Sequence, residues 1–271
     1  MPELPEVETL RVLLAAQVTG RLVNRLRVND QRLVSATERP SFQRLVSGAE
    51  VLDVTRRGKY LLFHLSAGNV LISHLRMTGS WVVYEGARPP FTRATLEFSG
   101  GLKIAYADIR RFGTWDLLCD DEAARYLDSR LGPDPLSDAF SRDYLSGCLT
   151  RRTGPIKAVL LVQSVVAGLG NIYADESLYR AGIHPSRPAR ELGSSELLRL
   201  VRAVREALTA SLREQAGTIA VAGSYGAGTR RFFVYRRVGE SCYSCSALIE
   251  RTLISGRGAY FCPCCQPSRG I

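Results

Sequence analysis

The chain has 271 residues, 45% of them hydrophobic, with a net charge of +10, a pI near 9.5 and a mean hydropathy of −0.03. That length suits two ordinary domains with buried cores. No apolar run can span a bilayer, glutamates at positions 3, 6 and 8 argue against a secretory signal, and the positive excess favours a polyanion, nucleic acid before a membrane surface.

The first predicted element is a helix from Glu3 to Val18, with Val7, Leu10, Leu13, Leu14 and Val18 on one face and Gly20 as its stop. Pro5 fits its first turn. Pro2 stands just ahead of it; a small second residue favours removal of Met1, which leaves a secondary amine beside the Glu3 carboxyl. The positive end of the helix dipole disfavours a second positive charge there, so an amine that ordinarily titrates at about 7.7–8 stays neutral and nucleophilic. An amine next to an acid is the minimum equipment for imine chemistry, although a Met-Pro start alone is common in inert proteins.

From Leu22 to about Cys119 short apolar or alternating runs predict strands at Glu50–Val54, Tyr60–Leu65, Asn69–His74, Ser80–Tyr84, Ala94–Phe98, Leu102–Tyr106 and Trp115–Leu118, in a sandwich or flattened barrel. The run Leu131-Gly132-Pro133-Asp134-Pro135 onward to Asp138 reads as a linker. Helices are predicted over Ala139–Leu149, Ile156–Val166, Tyr173–Ala181 and Ser194–Ala216. The turn from Ala167 to Asn171 opens the third of these, with Asn171 expected as a cap or a phosphate-facing residue.

Five of the seven cysteines fall in the last thirty residues. Cys242 and Cys245 form one C-x-x-C knuckle and Cys262 and Cys265 a second, the spacing of a tetrahedral, structural Zn²⁺ site; Cys264 is a competing ligand, and disulfides are the alternative. Two short strands between the knuckles, about Ser255-Gly256-Arg257-Gly258, predict a ribbon hairpin with Arg257 near its tip. Of 36 basic residues only Lys59, Lys103 and Lys157 are lysines. Arginine serves a phosphate at least as well, so each surviving lysine marks a candidate place for a compact or titratable ammonium.

Taken together these strings resemble the bacterial formamidopyrimidine-DNA glycosylases, over essentially the whole length. The resemblance rests on Pro2-Glu3-Leu4-Pro5-Glu6-Val7-Glu8-Thr9, Arg57-Gly58-Lys59-Tyr60-Leu61, His74-Leu75-Arg76-Met77-Thr78-Gly79 and Asp108-Ile109-Arg110-Arg111-Phe112-Gly113. It continues through Leu131–Pro135, Ile156-Lys157, the run from Gly168 and Asn171 to Glu176, Gly182–Pro185 and the cysteines. It implies an α+β fold in two domains: an N-terminal β-sandwich with an N-terminal helix (1–131), a linker (132–139), and a helical helix–two-turn–helix domain (140–234) ending in a zinc ribbon hairpin (235–271).

The resemblance implies removal of oxidised purines such as 8-oxoguanine from duplex DNA, followed by strand cutting through β- and δ-elimination. Pro2 would attack C1′, Glu3 would act as general acid, Lys59 would assist β-elimination, and Arg257 would serve phosphate binding and the later elimination. Met77, Arg110 and Phe112 would fill the gap left by the extruded base. Glu6, His74, Arg93, Arg152, Lys157 and Asn171 complete the expected DNA-binding set, and residues 217–231 correspond to a loop over the extruded base. The chain departs from its relatives at Leu161-Val162-Gln163 and at Tyr235-Arg236-Arg237. Expected partners are damaged double-stranded DNA and one structural zinc, with no membrane and no obligate protein partner, in a cytoplasmic monomer. The competing readings are an endonuclease-VIII-type glycosylase for oxidised pyrimidines, whose relatives begin Pro-Glu-Gly-Pro, and a non-catalytic binder of damaged DNA.

Overall fold

The apolar face read near the N-terminus forms helix α1 (Leu4–Val18), which buries Leu4, Val7, Leu10, Leu14 and Val18. The computed structural model describes residues 2–34, 39–216 and 231–268. These divide into two compact units, residues 2–129 with 214–216, and residues 130–213 with 231–268. The expected loop over the base lies outside the described residues, except for Arg231.

The first unit holds two four-stranded antiparallel sheets. One has the order β1 (Val23–Val28), β6 (Thr92–Phe98), β7 (Lys103–Asp108), β5 (Gly79–Val83); the other runs β2 (Val51–Arg57), β3 (Tyr60–Leu65), β4 (Asn69–His74), β8 (Thr114–Cys119). Inward side chains at alternate positions build one core. Trp81 of the first sheet stacks on Trp115 of the second at 4.8 Å between ring centroids, and Phe63 and Tyr106 close round them at 5.0 and 5.3 Å from Trp81. The sandwich reading holds, and every predicted strand is present within a few residues.

Two helices of this unit escape the sequence pattern. Helix α2 (Arg39–Val46) buries only Phe42 and Val46, and α3 (Asp120–Asp128) only Ala123 and Leu127. One i,i+4 apolar pair in a polar stretch is too little periodicity to read.

The second unit contains α4 (Arg142–Leu149), α5 (Ile156–Leu160), α6 (Asn171–Ala181), α7 (Ser194–Ala216) and the hairpin β9 (Glu250–Ile254) with β10 (Arg257–Phe261). Helix α7 ends among the residues counted with the first unit. Ser141 caps α4 by accepting the Tyr144 N–H at 3.1 Å, and Gly182, at φ 66°, ends α6. Helix α5 is shorter than its apolar run predicts. Gln163 stops it: its amide accepts the Gly168 N–H at 3.0 Å and donates to the Leu169 carbonyl at 2.8 Å, folding the apolar continuation into two turns before α6. The linker-like segment is also held. Gly132 donates to the Gln163 carbonyl at 2.8 Å, the Pro133 carbonyl accepts from Ala167 at 3.0 Å, and Arg205 donates to the Ser137 and Phe140 carbonyls at 2.8 and 3.0 Å.

Two glycines in the first unit are dictated by close approach. A Cβ on Gly113 would overlap the Tyr106 hydroxyl and lie 2.8 Å from its Cζ; one on Gly79 would overlap the same hydroxyl and lie 2.5 Å from the Leu75 carbonyl oxygen. Gly113→Ala is therefore expected to lower stability by about 2 kcal/mol in urea unfolding followed by tryptophan fluorescence. Tyr106→Phe in the same chain should return part of that loss; strictly additive losses would show that the hydroxyl is not what collides.

Candidate functional site

In the first unit Pro2 and Glu3 lie buried immediately ahead of α1. Glu3 is the N-cap, and Glu6 closes a capping box by accepting the Glu3 N–H at 2.7 Å. The other oxygen of Glu6 accepts from Gln215 Nε2 at 3.2 Å, and Thr9 donates to Gln215 Oε1 at 3.2 Å. Glu6 is only 4% exposed, so it holds the N-terminal residues in place and does not stand out as a free surface carboxylate.

One guanidinium carries this order to the next candidate residue, Lys59. Arg56 donates to Glu8 at 2.9 Å and to the Gly58 carbonyl at 3.0 Å. Gly58, at φ 59°, forms the two-residue turn of the β2–β3 hairpin with Lys59, which is buried. Burial opposes the charge on Glu8, but Arg11 and Arg56 outweigh it and hold the carboxyl below its ordinary range.

Opposite Tyr60 in the β3–β4 register stands His74, its ring edge-on to Tyr60 at 4.5 Å. Its Nδ1 accepts the Arg76 N–H at 3.0 Å. Burial, then the positive charges of Arg76 and Lys59, push its pKa down to about 3. The ring is neutral at physiological pH and keeps Nε2–H as a donor.

The loops after β4 and β7 expose the apolar residues that the sequence singled out: Met77 is 38% exposed and Phe112 50%. Arg110 lies over the Phe112 ring, 4.7 Å from its centroid. Between them Arg111, at φ 58°, is gripped by Asp30, whose carboxyl Arg111 holds down to about 2. Arg93 donates through Nε to the Asp108 carbonyl at 2.8 Å. Asp30, Thr78 and Asp108 were not among the expected site residues; an acid or hydroxyl inside a motif carries no mark of what it will bind.

In the second unit two of the expected DNA-binding residues, Lys157 and Asn171, meet at one backbone carbonyl. Gly258 O accepts from Lys157 Nζ at 2.5 Å and from Asn171 Nδ2 at 3.0 Å. Lys157 is wholly buried and paired with Asp175 at 2.8 Å, and Asp175 also accepts the Tyr260 N–H at 3.2 Å. Burial raises the Asp175 carboxyl to about 7 against the pull of Lys157. Lys157 thus reaches the ribbon turn rather than solvent. The cap of α6 is Gly170, not Asn171, whose side-chain amide uses one of its two N–H groups on the Gly258 carbonyl. Arg257 is exposed at the start of β10, after a tight turn in which Ser255 and Gly256 have φ 49° and 73°. Arg152 donates to the Cys148 carbonyl at 3.2 Å. Glu176, buried and pushed upward by that burial, accepts the N–H groups of Phe233, Val234 and Tyr235 at 2.9–3.0 Å.

The sulfurs of Cys242, Cys245, Cys262 and Cys265 lie within 4.8 Å of one another. Separations of 3.4, 3.5 and 3.9 Å exclude disulfides and approach the ~3.8 Å edge of a tetrahedron of thiolates about a metal with bonds of ~2.3 Å. The cluster can hold a metal ion. Backbone N–H groups of Ser244 and Cys265 point at Cys242 and Cys262 sulfurs at 3.4 Å, and Tyr179 reaches Cys242 Sγ at 3.3 Å. Cys264 is exposed and outside this group.

Two family models match the chain: the formamidopyrimidine-DNA glycosylase N-terminal domain over residues 1–115 and the H2TH domain of the same enzymes over residues 131–222. The formamidopyrimidine-DNA glycosylase of Bacillus licheniformis is 39% identical, covering 98% of this chain and 99% of its own length. That of Geobacillus kaustophilus is 40% identical, covering 98% and 100%. Among solved structures, a point mutant of Lactococcus lactis Fpg in complex with Fapy-dG-containing DNA superposes with a TM-score of 0.92 at 35% identity, over 98% of this chain and all of that one. The wild-type Lactococcus lactis protein with DNA containing an oxidised pyrimidine gives 0.91 at 36%, with the same coverage.

The lowered pKa of His74 gives a signed expectation. Between about 3 and 6.5 the folded chain binds fewer protons at this ring than the unfolded chain, so its contribution is whole above pH 6.5 and is lost as pH falls toward 3. In ¹⁵N NMR the His74 ring should remain the Nε2–H tautomer from pH 8 to about 5; a titration near 6.5 would contradict the buried, neutral assignment.

Proposed function

The chain belongs to the formamidopyrimidine-DNA glycosylase family, and from that membership we propose that it removes oxidised purines from duplex DNA through an iminium formed on Pro2. The observation that carries the reading is the N-terminal arrangement: Pro2 next to Glu3, both buried at the positive end of α1, with Glu6 fixing the Glu3 backbone.

With Met1 removed, the Pro2 nitrogen donates its lone pair to C1′ of the damaged nucleotide. The N-glycosidic bond breaks, its electron pair leaves with the base, and the base takes up the proton that the Pro2 nitrogen sheds. Glu3 gives a proton to the sugar ring oxygen, the C1′–O4′ bond opens, and a cationic iminium joins protein to deoxyribose. Loss of a C2′ proton then expels the 3′ phosphate, and a second elimination expels the 5′ phosphate. Lys59, buried beside His74, assists the first elimination, and Arg257 binds phosphate and serves the second. His74 contributes a neutral N–H donor to a phosphate, while Arg93, Arg152 and Asn171 are the further backbone contacts. Lys157 supports this set by holding the Gly258 carbonyl next to Arg257.

Reading the base requires taking it out of the stack. Phe112 and Met77 are the exposed apolar wedge, and Arg110, stacked on Phe112, faces the orphaned base. Cys242, Cys245, Cys262 and Cys265 would hold one Zn²⁺; four thiolates would leave it no site for water or substrate, so its part would be structural, tying together the two knuckles that flank the β9–β10 hairpin. The two Lactococcus lactis structures named above are complexes with damaged DNA, one of them carrying an oxidised pyrimidine, so the lesion panel must include both base classes.

Borohydride should trap a covalent complex with 8-oxoguanine DNA, and mass spectrometry should place the adduct on Pro2. Pro2→Gly is expected to cut trapping by at least about tenfold; trapping that is undiminished in the variant would remove Pro2 as nucleophile. Arg257→Ala should leave base release largely intact and shift the products from β,δ- toward β-elimination on a sequencing gel. A strong chelator should remove about one zinc per chain and abolish DNA binding while leaving the tryptophan-rich sandwich folded.

A further inference from the structure

We propose that Asp108 is a positioning residue for the gap-filling side chains: one buried carboxylate sets Met77, Arg110 and Phe112 in a common frame before DNA arrives. The inference rests on the wedge reading given above for those three residues.

Asp108 ends β7 and is 1% exposed. Its Oδ1 accepts the Thr78 hydroxyl and the Arg110 N–H, the latter at 3.2 Å; its Oδ2 accepts the Gly113 N–H at 2.8 Å. Thr78 Oγ1 in turn accepts the Arg110 N–H at 3.0 Å. Each donor is a filler or its immediate neighbour: Thr78 follows Met77, Arg110 is itself a filler, and Gly113 follows Phe112. Two loops that lie on different sides of β5, β6 and β7 in the chain are thereby attached to the same side chain. The main chain of Asp108 is held as well, its N–H by the Phe91 carbonyl at 3.1 Å and its carbonyl by Arg93 Nε at 2.8 Å. On the far side Asp30 grips Arg111, the left-handed residue between Arg110 and Phe112.

A buried carboxylate is costly and is expected only where donors compensate it. Here the donors are aimed from the two loops whose tips are exposed. Inserting three side chains into a duplex from loose loops would require ordering both loops at that moment. Loops already tied to one carboxylate avoid that cost, and the fillers enter as a unit. Thr78 acts in the same way, through Asp108 and Arg110, without touching DNA.

The test compares single-turnover excision of 8-oxoguanine from two duplexes, one with cytosine opposite the lesion and one with an abasic analogue there. The second has no orphaned base for Arg110 to face and is partly unstacked. Asp108→Asn keeps the shape but cannot accept the Gly113 N–H at its amide nitrogen, and Thr78→Val removes only a hydroxyl. Both variants are expected to lose about tenfold on the cytosine duplex and less than about twofold on the abasic one. Thr78→Val carries the test where Asp108→Asn does not fold. Equal losses on the two substrates would mean a merely structural carboxylate, and no loss on either would overturn the proposal outright. Arg110→Ala and Phe112→Ala are measured alongside. If they leave the cytosine duplex unaffected, the wedge reading itself fails; if they lose activity and Asp108→Asn and Thr78→Val do not, only the positioning role fails.

Discussion

The contact on which the proposed N-terminal chemistry depends is the bridge from Glu8 through Arg56 to the Gly58 carbonyl. The proposed nucleophile stands at a chain end, has one covalent neighbour and would ordinarily fray. Here its helix is anchored on both sides: the apolar stripe of α1 is buried in the sandwich core, and the polar flank is pinned to β2 by Arg56 and by Arg11 on the Val54 carbonyl at 3.3 Å. Because Arg56 also holds the turn before Lys59, the acid-capped helix start and the lysine turn are referenced to one guanidinium. Arginine suits this post: its planar fork can serve a carboxylate and a carbonyl in different directions without losing its charge.

The second unit solves a related problem with lysine. The ribbon turn must present Arg257 to solvent while the strand behind it is held. That hold is the Gly258 carbonyl, shared by Lys157 and Asn171, with Asp175 fixing the Tyr260 N–H two residues on. A wholly buried ammonium is tolerated because a carboxylate and a carbonyl receive its protons. In a chain that uses arginine nearly everywhere else, a compact ammonium sits where a carboxylate and a carbonyl converge on one nitrogen. Glu176 plays the matching part at the entrance to the ribbon, where its buried carboxylate gathers three consecutive backbone N–H groups.

Much of this was legible before any coordinates, and the physical reason is period. Strands of the sandwich read as short apolar or alternating runs between turns, α1 repeats its apolar residues over four turns, and two C-x-x-C knuckles announce their own geometry. Helices α2 and α3 each offer a single buried pair, so nothing periodic marks them. The apolar run from Ile156 reads as one helix because the pattern cannot show Gln163 turning back on the main chain. The Pro- and Gly-rich stretch from Leu131 reads as a linker because composition records flexibility, not the Arg205 and Gln163 contacts that remove it. The role of Lys157 was invisible for a different reason: its acceptor is a carbonyl 101 residues away, and a carbonyl has no letter in the sequence.

Several of the places where local rules are broken lie on the loops singled out above. Among the described residues, left-handed backbone outside glycine occurs at Ala67, Arg76, Phe91, Arg111, Arg236, Ser246 and Ser255; of these Arg76 stands beside Met77, Phe91 two residues before Arg93, Arg111 between Arg110 and Phe112, and Ser255 in the turn before Arg257. Such conformations cost free energy and persist only where the surroundings enforce them. At Arg111 the enforcement is visible as the Asp30 pair, a carboxylate with a lowered pKa that keeps its charge throughout the physiological range. The same loops leave Met77 and Phe112 exposed, against the preference that built the core. Backbone strain held in place by a salt bridge, next to exposed apolar side chains, is what a preformed insertion loop requires. Both are consistent with loops shaped for insertion into something apolar and stacked, flanked by phosphates, which is the description of a base pair step seen from outside the duplex.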